Sequence, residues 1–470
     1  MGERSKPARR PGAGRSPLRL GIDCGSPAGD LRVRNHALGQ GGVDDAPFSA
    51  PVVERLRALG FPAIRVFLQE FFGMMAGPGQ YRFESVDRML ESVGRTGADV
   101  MVSLCMKPPA LYPVMDPRRP LPSDWGRWED FIAALSRHFA AHGSYRVRWY
   151  EVGNEPDLGE GGGVPSLFTP GEYAEYYART ARAVKRGDPS ALVGGPAMAE
   201  LPFESPLPAE LAARVRADGL PFDFFSWHVY NQDAALMAGT VGRTRKVLAG
   251  LGEPFASAET VLGEWNITPV TNMDPGEYLR SAFLVDVVAR FIDAGLDRSF
   301  YYHAMDMDLH PEKWRGWFRA EPLERMGEVW NSSRRGLHMM APAGECLAPY
   351  VAFRMLYAME GQRLAAERPS EAVGALASRA EDVCRVLLWN YHHDEMRTMD
   401  LDLDLVGLPD GARRLRRYRL GGDLRDAGNV AACRRGELYA AGEEPVHAGG
   451  NLRLRVSLPP TRVELLEIGP

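Results

Sequence analysis

Short apolar segments alternate with amphipathic helical stretches from about residue 30 to about residue 310, and this alternation is the strongest constraint on the fold. Strands that are connected through helices run parallel, and continuous apolar runs are typical of strands buried on both faces. Eight such runs are present: 31–38, which is the weakest, and 63–67, 100–106, 147–152, 191–195, 222–230, 260–265 and 300–303. Eight βα units predict an α/β fold, a closed (β/α)8 TIM barrel.

An open, doubly wound sheet is the alternative arrangement for alternating strands and helices. The nucleotide-binding members of that class carry a GxGxxG turn after an early strand, and this chain has none there. The closed barrel is therefore the preferred prediction, with the barrel extending over residues 31–344.

The pattern changes after about residue 345, where strand-like segments replace the βα units. Segments 384–391 and 415–420 are rich in strand formers, and apolar and charged residues alternate strictly from Leu452 to Val456. Strict alternation is typical of a strand with one wet face. We therefore expect a C-terminal β-sandwich accessory domain over 345–470, joined by an N-terminal strand from segment 17–30.

Residues 1–16 are basic and rich in Pro and Gly, and they lack the apolar core of a secretory signal. We expect a disordered tail on a cytoplasmic protein. No apolar run reaches the length of about 18 residues that a membrane span requires. The five cysteines form no CxxC pair, which favours free buried thiols. With a formal net charge of −5, neither a nucleic acid nor a membrane is an expected partner; a homo-oligomer is left open.

Polar residues follow four of the apolar runs, at the strand ends where barrel enzymes carry their active sites. Glu155 follows the fourth run, His228 and Tyr230 end the sixth, Glu264 ends the seventh, and Arg65 lies in the second. Two carboxyl groups across one barrel mouth are the machinery of glycosidic bond hydrolysis. One protonates the leaving oxygen, and the other attacks or stabilises the anomeric carbon, without a metal or another cofactor.

The motifs at these strand ends resemble those of clan A glycoside hydrolases, and family 39 in particular. The resemblance is carried by Trp149-x-Glu-Val-x-Asn-Glu-Pro-Asp-Leu158, His228-x-Tyr230, Gly195-Pro196 and Glu264. It implies a retaining hydrolase in which Glu155 is the acid/base, Glu264 the nucleophile and Asn154 a ligand of the neighbouring sugar hydroxyl.

By the same resemblance, His228 and Tyr230 orient and tune the nucleophile, and Arg65 holds it ionised. Aromatic residues near the strand ends are candidates for stacking on a sugar ring. The selected candidates are Trp227, Trp265 and Tyr302.

Each signal has a structural interpretation as well. Asn-Glu-Pro alone is most often a turn, Glu264 with Arg65 is compatible with a structural ion pair, and a single histidine such as His228 is usually a core residue. The cluster Asp306, Asp308 and His310 has the residue types of a metal site, although a polar loop explains it equally well. The combination and order of the motifs favour catalysis.

The preferred substrate class is therefore a glycoside or oligosaccharide, cleaved by a β-xylosidase-like enzyme. An α-L-arabinofuranosidase is a close alternative, because Gly153-Asn154-Glu155 and Gly263-Glu264-Trp265-Asn266 also resemble family 51. A non-catalytic carbohydrate-binding barrel is the alternative from another class. The sugar, the linkage and the choice between exo and endo action depend on loops whose sequence does not identify them.

Overall fold

The computed structural model describes residues 16–269, 275–331, 336–422 and 426–470, so the expected tail lies almost entirely outside the described residues. Strands in the N-terminal part are β1 (Leu18–Asp23), β2 (His36–Gln40), β3 (Ala63–Leu68), β4 (Met75–Gly77), β5 (Gln80–Tyr81), β6 (Asp99–Leu104), β7 (Val147–Val152), β8 (Leu192–Met198), β9 (Phe224–Tyr230), β10 (Glu259–Asn266) and β11 (Arg298–Tyr302). Helices are α1 (Ala50–Leu59), α2 (Glu84–Gly94), α3 (Trp125–Ala141), α4 (Pro170–Gly187), α5 (Leu207–Asp218), α6 (Ala234–Leu251), α7 (Glu277–Asp293), α8 (Pro311–Trp314), α9 (Ala320–Trp330) and α10 (Ala348–Ala358).

Eight parallel strands close into a barrel in the order β2-β3-β6-β7-β8-β9-β10-β11, and β11 pairs back onto β2. This confirms the predicted TIM barrel. The first strand lies at His36–Gln40 and not at 31–38, because Val33–Asn35 form a 3-10 turn. The strands are nearly continuous in burial, as β3 illustrates with six buried residues in six. Both faces of the sheet are covered, which is why the apolar runs lack alternation.

Local sequence determines where a helix begins, and α4 is an example. The Thr169 side chain accepts a hydrogen bond from the Glu172 backbone, and the Glu172 carboxylate accepts one from the Thr169 backbone at 2.9 Å. Pro170 occupies the first turn, where a missing N–H costs nothing. This cap fixes the point at which the loop from β7 ends and α4 begins. The same loop carries Glu155.

Helix α10 lies on the barrel, packed against α7 and α1. The Tyr357 hydroxyl donates to the His36 carbonyl at 2.7 Å, which ties α10 to the first barrel strand. A boundary at residue 344 would therefore assign α10 to the accessory domain, although α10 packs among the barrel helices. In the sequence, the insertion that contains α8 and α9 separates α10 from β11, so this packing is not evident there.

The C-terminal region is antiparallel. Its strands are β12 (Gln362–Leu364), β13 (Val373–Ala380), β14 (Val383–Asn390), β15 (Met399–Val406), β16 (Gly411–Leu420), β17 (Tyr439–Ala448), β18 (Asn451–Leu458) and β19 (Val463–Gly469), with helix α11 (Ala427–Arg434) between β16 and β17. Six of them form the sheet β12-β13-β14-β19-β16-β17. A second sheet has the order β1-β15-β18, with β1 parallel to β15.

The two sheets share one apolar core. Leu20 of β1, Leu403 of β15 and Val456 of β18 pack with Val386 of β14 and Leu466 of β19. The predicted alternation in β18 is present, since its leucines and valine turn inward while Arg453 and Arg455 are exposed.

Two further sequence expectations concern thiols and membranes. Cys24, Cys105, Cys346, Cys384 and Cys433 are all buried and free. None of the helices in the described part of the chain combines the length and the apolar character needed to cross a lipid bilayer.

Candidate active site

A cavity of about 610 Å³ opens at the C-terminal end of the barrel. Its walls come from helix α9 and from the ends of every barrel strand except the third, together with the loops that follow them. Residues in contact with it include Phe67, Gln69, Asn154, Glu155, His228, Tyr230, Glu264, Tyr302 and Trp330. This is the end of the fold at which barrel enzymes bind their substrates.

Arg65 on β3 lies fully buried beneath the cavity and connects three of the predicted site segments. Its guanidinium donates to Glu151 Oε2 through Nε at 2.8 Å, to Glu264 Oε1 at 2.9 Å and to Asn154 Oδ1 at 2.7 Å. A buried cation is stable only when it is paired and hydrogen-bonded. Two carboxylates therefore surround one guanidinium at the base of the site.

Glu264, near the end of β10, has hydrogen-bond donors on both carboxylate oxygens. Arg65 donates to Oε1, and the Tyr230 hydroxyl donates to Oε2 at 2.6 Å. Both donors match an ionised carboxylate, and together they hold its orientation toward the cavity. The side chain is almost completely buried.

Glu155 lies in the turn after β7, with a left-handed backbone at φ 41°. Its N–H donates to the Ala197 carbonyl at 2.8 Å, which stabilises this less common conformation. Gly162, in the glycine-rich segment 161–163, packs against its side chain. A Cβ placed on Gly162 would lie 2.0 Å from Glu155 Oε2, so a residue without a side chain is required there.

The surroundings of Glu155 differ from those of Glu264. Burial, with a smaller contribution from the negative charge of Asp157, raises the pKa of Glu155 to about 8. Arg65 opposes this shift only weakly, because its guanidinium donates to Glu151, Glu264 and Asn154 and not to Glu155. Glu155 thus holds a proton at neutral pH, whereas Glu264 in the same cavity accepts hydrogen bonds from two donors.

His228 was expected to tune Glu264, but the structure places it closer to the other glutamate. Its Nδ1 lies 2.8 Å from Glu155 Oε1 and 3.6 Å from Glu264 Oε1. Burial lowers the pKa of His228, so the ring is neutral at pH 7. A neutral ring that hydrogen-bonds the Glu155 carboxyl orients that group, which corrects the expected assignment.

The two glutamates face each other across the cavity. One carboxylate oxygen of each and one ring nitrogen of His228 all lie within 4.8 Å of one another. In the described residues this is also the only set of three potential metal ligands at such spacing. Asp306, Asp308 and His310 do not converge; His310 instead lies 3.7 Å from Asp44.

The expected stacking roles of Trp227 and Trp265 are wrong. Both indoles are fully buried on the helix side of the barrel wall, where Trp227 Nε1 donates to Thr240 and Trp265 Nε1 donates to Ser299. Side chains alternate between the two faces of a strand. Since His228 and Glu264 face the cavity, their neighbours Trp227 and Trp265 face away from it. Tyr302 does line the cavity, with its hydroxyl donating to the Gly41 carbonyl.

Three cavity or near-cavity residues were missed by sequence reasoning. Trp330, at the end of α9, lines the cavity with its ring nearly parallel to His303 and its Nε1 bonded to the Met307 carbonyl. Gln69 donates to Gly163 and touches the cavity. Glu151 is the second partner of Arg65, and a charged residue inside the apolar run Trp149–Val152 was a usable signal for it.

The sequence profile described as Glycosyl hydrolases family 39 matches residues 80–393. A β-xylosidase from Caldicellulosiruptor saccharolyticus is 27% identical over 264 residues, covering 52% of this chain and 49% of that protein. A β-xylosidase from Geobacillus stearothermophilus is 36% identical over 116 residues, which are 24% of this chain and 22% of that protein. The chain thus aligns with about half of one curated relative and about a fifth of the other.

The crystal structure of a GH39 enzyme from Xanthomonas axonopodis pv. citri has the same fold. The TM-score is 0.76 at 19% identity, and the alignment covers 97% of this chain and 98% of that one. The family profile extends over more than half of the sequence and includes both glutamate motifs. This chain is a member of glycosyl hydrolase family 39.

Proposed function

We propose that the protein is a retaining, β-xylosidase-like glycoside hydrolase in which Glu264 is the nucleophile and Glu155 the acid/base. The observation that carries this proposal is the approach of the two carboxyl groups, with oxygens within 4.8 Å of each other. Retaining enzymes keep their carboxyl groups about 5 to 5.5 Å apart, whereas inverting enzymes leave roughly 6.5 to 9.5 Å for a water molecule. The spacing supports direct attack by a side chain.

In the first step, a Glu264 oxygen attacks the anomeric carbon while Glu155 transfers its proton to the departing glycosidic oxygen. The carbon–oxygen bond of the glycoside breaks as the glycosyl ester to Glu264 forms. In the second step, water attacks the anomeric carbon and the ester bond to Glu264 breaks, which releases Glu264 as a carboxylate, while Glu155, now itself a carboxylate, takes a proton from that water. The free sugar leaves with its configuration retained, and both glutamates return to their starting states.

The environments of the two groups support this division of roles. A pKa of about 8 keeps Glu155 protonated, as a general acid requires at neutral pH. Donors from Arg65 and Tyr230 stabilise the charged form of Glu264 that attacks. Asn154, which Arg65 holds and which lines the same cavity, is the proposed ligand of the neighbouring sugar hydroxyl.

The β-xyloside assignment rests on the names of the two curated relatives, each of which aligns over only part of its length. Tyr302, a candidate from the sequence, and Trp330 both border the cavity and provide apolar faces for a pyranose ring.

Trapping with a 2-deoxy-2-fluoro-β-xylosyl fluoride tests the proposal. The fluorine slows hydrolysis of the intermediate, so intact mass spectrometry should show one added sugar, and peptide mapping should locate it on Glu264. Glu264→Gln should abolish both labelling and turnover of 4-nitrophenyl β-xyloside.

A matched control is Glu259→Gln, at the opposite end of the same strand, where the side chain pairs with Arg298 outside the cavity. It should label normally. Labelling by the arabinofuranosyl analogue alone would assign the arabinofuranosidase alternative. A folded wild-type protein without labelling or turnover of either sugar would support the non-catalytic alternative and overturn the proposal.

A further inference from the structure

The wall of the catalytic cavity beside Glu155 is a backbone segment that lies against the carboxyl group. It comprises residues 161–165, and we call it the covering segment. Gly161, Gly162 and Gly163 line the cavity, and Gly162 is so close to Glu155 that a side chain would not fit between them. Burial, to which this contact contributes, is the main cause of the raised pKa of Glu155. Movement of the covering segment away from Glu155 would therefore admit water to the carboxyl group.

Lys107 connects the covering segment to the loop after β6. Its side chain is fully buried. The Nζ atom donates to the Asp116 carbonyl at 2.7 Å and to the Pro165 carbonyl at 2.9 Å. A lysine ammonium loses its hydration on burial, so a fully buried lysine requires compensating hydrogen bonds. Here these hydrogen bonds go to backbone carbonyls, and the ammonium thereby joins the backbones of two loops.

The covering segment is also held near its middle. Gln69 Nε2, in the loop after β3, donates to the Gly163 carbonyl at 2.9 Å. Val164 is buried in a small apolar cluster with Phe67 and Tyr302. Two side chains from other loops therefore hold this backbone, and Lys107 is the one that holds its C-terminal end.

The position of Lys107 is itself fixed. Its backbone N–H donates to the Glu70 carboxyl group, and its ammonium lies 5.3 Å from the centre of the Tyr112 ring. Glu70 follows Gln69 in the chain, so the two residues that hold the covering segment are connected to each other. The donor atoms of Lys107 thus extend from an anchored backbone to the place where the covering segment passes.

We propose that Lys107 is a positioning residue for Glu155: it holds the covering segment closed over the carboxyl group and so keeps water away from it. The proposal rests on the function proposed above, in which Glu155 is the acid. A general acid must carry its proton at the working pH. Lys107 is not among the residues that line the cavity in the described part of the chain, so it acts through the covering segment.

Other ionisable groups near these residues bear on a test that measures a titration. Burial lowers the pKa of Lys107 to about 8, against the charges of Asp116 and Glu160. A neutral amine keeps two N–H donors for the two carbonyls, so the connection persists when Lys107 itself loses a proton. The charged or titratable groups around Glu155, which the variants below leave unchanged, are Asp157, Arg65, His228, Glu264, Tyr230 and Tyr302.

The experiment measures kcat/KM for phenyl β-xyloside from pH 5 to pH 10 with the full-length protein. Phenol leaves more slowly than 4-nitrophenol, so its departure depends more on the proton from Glu155. Lys107→Met keeps an unbranched side chain and removes the donor. We expect the alkaline limb, which should lie near pH 8 in the wild-type protein, to move to lower pH by at least about 0.5 unit, because water then reaches the Glu155 carboxyl group.

The direction of the shift distinguishes positioning from other roles of Lys107. If Lys107 acted on Glu155 through its charge, removing that charge would raise the pKa of Glu155 and move the limb to higher pH. A purely structural role would lower kcat/KM by the same factor at every pH. A limb that is unchanged, or that moves to higher pH, would therefore overturn the proposal.

A second variant and a control complete the design. Gln69→Leu releases the covering segment at Gly163 without changing a charge, so its limb should also move to lower pH. This variant decides the question if Lys107→Met does not fold, which thermal denaturation checks. The matched control is Lys185→Met, since Lys185 Nζ also donates to a backbone carbonyl, that of Ala191, but at the end of the barrel opposite the cavity. Its limb should stay near pH 8.

The outcomes separate the two proposals. If the wild-type protein cleaves no glycoside, the proposed function fails, and the positioning role of Lys107 fails with it. If the wild-type protein is active and the limbs of Lys107→Met and Gln69→Leu coincide with that of Lys185→Met, the proposed function stands and the positioning role is wrong.

Discussion

At the scale of single residues, the site depends on Arg65, which pairs with one of the two cavity glutamates and not with the other. Arg65 donates to Glu151 and Glu264 but not to Glu155, which hydrogen-bonds the neutral His228 ring instead. Two carboxyl groups in one cavity thereby experience different electrostatic environments. Opposed environments of this kind allow one carboxyl group to act as an acid while its neighbour acts as a nucleophile.

The acid role proposed for Glu155 predicts how activity depends on pH. Burial first and Asp157 second raise its pKa to about 8, so the protonated acid predominates below that pH. We expect kcat/KM for an aryl glycoside to fall as pH rises through about 8. Because the folded-state pKa lies above the ordinary value, ionisation also opposes folding, and stability should decline as pH rises from about 4.5 towards 8.

Asp157→Asn tests the cause of this shift. Removing that negative charge should move the alkaline limb of kcat/KM to lower pH, measured from pH 5 to pH 10. Asp188→Asn, a buried aspartate at the far end of α4, is the control and should leave the limb in place. A limb that is unchanged in Asp157→Asn would contradict the electrostatic account.

At the scale of elements, the insertion between β11 and α10 completes the cavity. Helix α9 brings Trp330 to the mouth of the site, where the indole is held by the Met307 carbonyl and by the parallel His303 ring. Trp314, Phe318 and Leu323 form a small separate core beneath it. The barrel supplies the two glutamates that we propose as reacting groups, and the insertion supplies an apolar wall.

Trp330→Ala should therefore reduce kcat/KM for aryl β-xylosides about tenfold to a hundredfold, because a stacked sugar loses most of one apolar contact face. Trp317→Ala is the control, since Trp317 belongs to the same insertion and packs against Trp314 and Phe71 without touching the cavity. Steady-state kinetics should separate the two variants. Equal losses in both would indicate that the insertion as a whole, and not the Trp330 ring, is responsible.

At the scale of the whole molecule, the barrel and the six-stranded sheet share a core. The main cluster of buried residues runs from the barrel helices through Trp389 and Leu465 of that sheet and through Tyr391, which directly follows β14. Asp286 of α7 lies in this contact, accepting from Trp389 Nε1 at 2.8 Å and from Arg368 at 2.5 Å. A continuous core of this kind favours joint unfolding of the two parts.

Asp286→Asn should lower the free energy of unfolding by about 1 to 3 kcal/mol, because it leaves the Arg368 charge without its buried partner. Asp293→Asn, at the exposed end of the same helix, should change it by less than about 1 kcal/mol. Urea unfolding followed by circular dichroism and by tryptophan fluorescence checks both values. Two separate transitions in the wild-type protein would contradict the shared core.

Most of the architecture was predictable from the sequence, because the physical signals are local. Apolar runs separated by helical periodicity specify a parallel sheet covered on both faces, and the alternation in 452–456 specifies a half-exposed strand. Glu155, Glu264 and Arg65 were identifiable because parallel strand ends meet at one edge of a barrel. The outward direction of Trp227 and Trp265 was also encoded, since each adjoins a residue that faces the cavity.

Other features depend on distances that no local pattern contains. The preference of His228 for Glu155 is a difference between 2.8 and 3.6 Å, set by the packing of β9 against the turn after β7. Trp330 reaches the cavity only through the path of the insertion, and helix α10 joins the barrel across that same insertion. Sequence periodicity determined which elements form, whereas contacts between residues far apart in the chain decided which side chains meet, because those contacts exist only after the barrel has closed.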